Sequence, residues 1–179
     1  MFRDCNLGCR RAVSDAITWF FEQVEMGIIL EDDCLPDLSF FPYADKLLNK
    51  YQHDLRIFSI SGTNYNIKNI SEDYSYFFSK YVSIWCWATW KNRWEHYSKT
   101  EKNIDTLIES SDSLRATLQT TKETKLRLGQ LKGIKENRID TWDYIWSLTC
   151  LFNNGLTIIP KKNLVINIGF DSHGTHTMD

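Results

Sequence analysis

The sequence predicts an α/β fold, a mixed sheet flanked by helices, in a single domain over residues 1–179. Three observations carry this. Helical periodicity and short strand-like runs alternate over residues 10–60, and that order builds sheets with at least partly parallel strands. The run Gly27-Ile28-Ile29-Leu30 is apolar without polar alternation, the pattern of a strand covered on both faces. Finally, 179 residues, 42% of them hydrophobic and seven of them Trp, support one substantial core and exclude a disordered chain.

Taken in order, Val13, Ile17, Phe20, Phe21 and Val24 fall on one face of a helix over residues 10–23. The strand 27–30 follows. Leu35-Pro36-Asp37 then breaks the chain, and Ser39 is placed to cap a helix through Tyr51, with Phe40, Tyr43, Leu47 and Leu48 inward. Residues 55–60 form the next strand, stopped by Ser61-Gly62-Thr63-Asn64. Residues 64–73 are polar and loop-like, 74–78 suit a strand, and 88–97 predict a short helix carrying Trp90 and Trp94. A charged helical excursion over about 100–138 carries Leu107, Leu114, Leu118, Leu126, Leu128 and Leu131, and a solvated surface segment is its plain reading. A helix over 141–152, ended by Asn153-Asn154-Gly155, and a strand over 156–159 complete the pattern.

A net charge of −2 with no basic run gives no electrostatic footprint for nucleic acid. Five cysteines, an odd number without C-x-x-C spacing, predict neither a zinc site nor a disulfide framework, which points to a reducing cytoplasmic setting. No run reaches the ~20 apolar residues of a membrane span, and the N-terminus has no signal-like apolar region. Attachment to the inner face of a membrane remains compatible with this reading.

Chemistry concentrates at Glu31-Asp32-Asp33. Three acids directly after a buried strand are costly unless water, donors or a cation meet them, and strand C-termini are where open α/β sheets bind ligands. Carboxylates suit Mg²⁺ or Mn²⁺, which draw further ligands from phosphates and water. A solvated acidic turn is the alternative.

The flanking residues narrow the choice. The segment Ile28 to Phe41, with Glu-Asp-Asp, a short break, then an acid and paired Phe, resembles the metal-motif segment of GT-A-fold glycosyltransferases, especially the N-acetylglucosaminyltransferases that start complex N-glycan branches. In the same order, Ile60-Ser61-Gly62-Thr63-Asn64 is similar to their Ser/Asn segment, and Ser83-Ile84-Trp85-Cys86-Trp87-Ala88 to their aromatic loop. Thr141-Trp142-Asp143-Tyr144-Ile145-Trp146 resembles their Trp-acid-acid-Trp segment, and Asn6-Leu7-Gly8-Cys9 the start of related bacterial surface-glycan transferases.

The resemblance implies a GT-A-like, Rossmann-like fold and an inverting transfer from a UDP-sugar to a glycan or other hydroxyl acceptor. It implies Asp33 as ligand of Mn²⁺ or Mg²⁺, joined by His176, with His173 a lesser candidate. Asp32 would face the ribose and Glu31 the donor sugar, with Trp85 and Trp87 also at the donor. Asp143 would be the general base, and Asp140 is its rival, although Asp140 is also placed to cap the helix near Thr141. Trp85, Trp87, Trp142 and Trp146 form either a sugar platform or core. In such enzymes a strand and loop holding the nucleobase come first, so the resemblance also implies an N-terminally truncated version, and the glycines expected in the aromatic loop are missing. Two other function classes use the same residues: a non-catalytic carbohydrate-binding or assembly module, and a metal-dependent phosphohydrolase.

Overall fold

The computed structural model describes residues 3–65, 73–109, 118 and 120–169. Helix α1 (Gly8–Gln23) leads through a short turn into β1 (Met26–Ile29). Next come β2 (Cys34–Pro36), α2 (Phe40–Tyr51), β3 (Ile57–Ser61), β4 (Tyr76–Ser79) and β5 (Trp87–Trp90). Helices α3 (Lys91–Lys102), α4 (Ile104–Glu109), α5 (Thr121–Lys135) and α6 (Asp143–Phe152) precede β6 (Leu156–Pro160) and β7 (Val165–Asn167).

Five strands form one sheet in the order β1-β5-β3-β6-β4, and β2 pairs with β7 in a separate ribbon. The sheet is mixed: β3 and β6 are parallel, and the other three ladders are antiparallel. Strands β1, β3 and β6 therefore point the same way, and their C-terminal ends share one rim with the start of β5. This fits the predicted α/β class with a partly parallel sheet.

Each face of the sheet has its own core, because strand side chains alternate. Phe58 and Trp87 point into the layer made by α1, α3, α5 and α6. Ile57, Ile60, Ala88 and Trp90 point the other way, onto Phe40, Ala44, Leu47 and Leu48 of α2. Helix α6 is buried from Ile145 to Leu151 on all sides, its apolar residues joined by the buried hydroxyls of Ser147 and Thr149.

Three expectations are corrected. The run 27–30 was expected to be covered on both sides, but among the described residues β1 is an edge strand joined only to β5, its residues are half-buried and Leu30 is exposed. Residues 88–90, expected in a helix, belong to β5; the helix starts at Lys91, because Trp87–Trp90 pair with β1, Trp87 and Ala88 pair with β3 as well, and that tertiary pairing overrides the i, i+4 spacing of Trp90 and Trp94. The stretch 100–138 is no solvated excursion, since Ile104, Leu118, Leu131 and Ile134 are buried in the core. Of its predicted apolar set, Leu126 is exposed and Leu114 lies outside the described residues. Among the described residues, no helix is long and apolar enough to cross a membrane.

Candidate active site

The site is built by the antiparallel hairpin of α1 and β1. At its closed end Phe20 lies where a Cβ on Gly27 would be, 2.3 Å from the Phe20 Cζ, so helix and strand touch directly. Its other end places the N-terminus of α1 beside the acids that follow β1.

That N-terminus is capped from far away in sequence. The Asp140 carboxylate accepts from the amides of Cys9 (2.8 Å) and Arg10 (3.2 Å), two of the amides that a helix start leaves without partners. Gly8 makes room for it: φ is +76°, and a Cβ there would lie 2.2 Å from Asp140 Oδ2. Asp140 thus caps a helix, as one sequence reading held, but the helix is α1 rather than the one it precedes.

After β1 the chain turns tightly, with Cys34 N donating to Glu31 O (3.2 Å). The β2–β7 ribbon then fixes Asp33. Ile168 N donates to the Asp33 carbonyl (2.7 Å), while Asn167 Nδ2 (3.3 Å) and the Cys34 thiol (3.2 Å) donate to its carboxylate. Gly169 lies against the same carboxylate, where a Cβ would meet Oδ2 at 2.5 Å. Asp32, between the two, is exposed.

Glu31 is half-buried, and the neighbouring Trp142 side chain favours its charged form. Burial, and then the charges of Asp33, Asp143 and Asp32, push its carboxyl from 4.5 up to about 7. A site that raises a carboxyl in this way is one where an added positive charge would be welcome.

Asp143 opens α6, and Thr141 Oγ1 donates to its Oδ1. The loop 138–142 carries Asp140 to α1 and Trp142 to Glu31, and so sets Asp143 across from the acidic triplet. Glu31, Asp32, Asp33 and Asp143 all line one cleft of about 1150 Å³, together with Trp85. Trp85 is half-buried and makes an edge contact with Tyr65 at 5.6 Å.

The other three indoles of the expected platform are core. Trp87, Trp142 and Trp146 are at most 1% exposed, and Trp87 lies 5.5 Å from Trp142 and 5.4 Å from Trp146. Trp87 has no surface to offer a donor, so its expected donor contact is withdrawn, and the four-Trp platform reduces to Trp85. Cys86, just before β5, takes a left-handed φ of 48° where the resemblance led to an expectation of glycine. His173 and His176 lie outside the described residues.

Glu31, Asp33 and Cys34 each offer one possible ligand atom, all within 4.8 Å of one another. Without a metal, burial and the Asp33 carboxylate push the Cys34 thiol far above its ordinary range, and it donates to Asp33. The two carboxylates are hard oxygen donors of the kind that suit Mg²⁺ or Mn²⁺.

Asn167 and Trp142 were missed as supports of Asp33 and Glu31. No sequence signal marked Asn167, because only the long-range pairing of β2 with β7 brings it there. No protein-family model matches the chain, and no curated protein matches it either.

Proposed function

We propose that this protein is an inverting, divalent-metal-dependent glycosyltransferase of GT-A type that uses a nucleotide-diphosphate sugar, with a UDP-sugar as the donor. The observation that carries this reading is the shared cleft. The acids after β1 and the acid opening α6, distant in sequence, face one space large enough for a sugar nucleotide.

In this reading Asp33, held by Asn167 and the β2–β7 ribbon, anchors the cation, with Glu31 beside it on the donor-sugar side. Bound Mn²⁺ or Mg²⁺ would supply charge neutralisation for the departing diphosphate. Asp32, exposed at the rim, takes the ribose, and Trp85 packs on the donor. His176, which lies outside the described residues, is the further metal ligand that the resemblance implies. Asp143 accepts the proton of the acceptor hydroxyl as its oxygen bonds to the anomeric carbon; the bond from that carbon to the diphosphate oxygen breaks, and the nucleoside diphosphate leaves. Attack from the opposite side inverts the anomeric centre. Asp140 is occupied as a helix cap, which favours Asp143 over its rival as base.

Calorimetric titration of UDP into the protein, once with Mn²⁺ and once with EDTA, tests this. Binding that requires the metal supports it. UDP binding of equal strength in both, or none in either, would remove it.

A further inference from the structure

The cleft has a second half that a metal, a nucleotide and a sugar leave unexplained. From the acids it runs along α1, whose face there carries Ala12, Val13, Ala16 and Phe20. Also lining it are Ile29 and Leu30, at and just beyond the edge strand β1, and Ile84. From Cys9 to Phe20 this wall extends about 16 Å at the helical rise. Leu30 and Ala16 are exposed, and Val13, Phe20 and Ile29 only half-buried, so this is apolar surface left open to solvent among the described residues.

A continuous apolar wall of this kind is seldom left uncovered without a use. It is not a separate patch: it belongs to the same cavity as Asp143, and it starts at the α1 N-terminus where the acids lie. A ligand filling both halves must be polar and hydroxyl-bearing at one end and apolar along the other. We propose that the trough holds the hydrocarbon chain of an amphiphilic acceptor, so that the hydroxyl glycosylated at Asp143 belongs to a molecule with an acyl or isoprenoid tail. This rests on the glycosyl-transfer reading above and names its acceptor class. The bonds made and broken are those already given.

The test uses hexyl, octyl and decyl β-D-glucopyranoside, each below its micelle-forming concentration, titrated calorimetrically into the whole protein without nucleotide or metal. The expected result is affinity that rises with chain length, approaching about fourfold for each methylene fully buried. Ala16→Trp, at an exposed helix position, fills the trough and removes that dependence, while circular dichroism checks that the fold is kept. Affinity independent of chain length, or no binding, overturns the proposal, and the second is the outcome expected if a polypeptide segment covers the trough. The wild-type series decides even if the variant misfolds. Because donor and metal are absent, failure here leaves the UDP titration untouched, and failure there leaves this one untouched.

Discussion

Asp140 and Cys9 are joined by a hydrogen bond from the Cys9 amide to the Asp140 carboxylate, 2.8 Å long and spanning 131 positions of sequence. This bond ties the loop before α6 to the start of α1, and so brings Asp143 over the acids that follow β1. Stability and site geometry share one contact.

Removing the cap should therefore cost stability. Asp140→Ala is expected to destabilise by about 1 kcal/mol, the usual cost of a lost N-cap. Gly8→Ala should cost more, since it adds a left-handed strain to a Cβ in contact with the carboxylate. Urea unfolding midpoints measure both, and a Gly8→Ala protein as stable as wild type would contradict the packing described.

Glu31 gives the metal-free protein a pH signature. Below about 4.5 the carboxyl is protonated whether the chain is folded or unfolded, and it costs nothing. As pH rises toward 7 the unfolded chain ionises it while the fold holds the proton, so stability falls; above 7 the full cost is present. Allowing for partial exposure, that cost is about 1–2 kcal/mol. Glu31→Gln should match wild type near pH 4 and exceed its stability at pH 8, as read from urea unfolding at both values. The same difference at both pH values would rule this out.

The tryptophans should separate by position. Trp87→Ala empties a fully enclosed space and should cost about 3–5 kcal/mol. Trp85→Ala should cost far less, yet weaken UDP binding in Mn²⁺ severalfold. Thermal unfolding combined with calorimetry distinguishes the two, and the reverse pattern would mean that Trp85 is the structural residue.

Thiol reactivity should follow burial. Cys5 is exposed and should react with Ellman's reagent rapidly at pH 8, with Cys9 slower. Cys34, Cys86 and Cys150 are buried, and burial raises all three thiols, Cys86 to about 11. They should react only as the fold opens. Three or more fast thiols would contradict the burial.

Helices α1 and α2 were legible because each carries an apolar stripe with helical period, a signal that depends only on neighbours in sequence. Strand β5 was not, because Trp90 and Trp94 mimic a helical face until β1 and β3 claim the segment. The apolar run of β1 predicted two covered faces, but such a run carries no signal of strand pairing, so the edge position that leaves its residues half-buried was invisible. The acidic triplet was singled out by its chemistry and Asp143 by resemblance, and the fold brings them to one cleft. The contacts that hold them could not be read from the sequence: Asp140 to Cys9, Asn167 to Asp33 and Trp142 to Glu31 all join segments far apart in the chain. Nor does a sequence reveal that Trp87 is enclosed while Trp85 is half-buried, since Trp85 lies ahead of β5 and the left-handed turn at Cys86 separates the two.

The central claim is that Asp33 and Asp143 serve one cleft in different roles, the first holding the cation and the second taking a proton. Titration of UDP in saturating Mn²⁺ into Asp33→Asn and Asp143→Asn proteins tests it most directly. The account predicts at least a tenfold loss of affinity for Asp33→Asn and near wild-type affinity for Asp143→Asn, which contributes to the transfer step alone. Wild-type affinity in Asp33→Asn would contradict it.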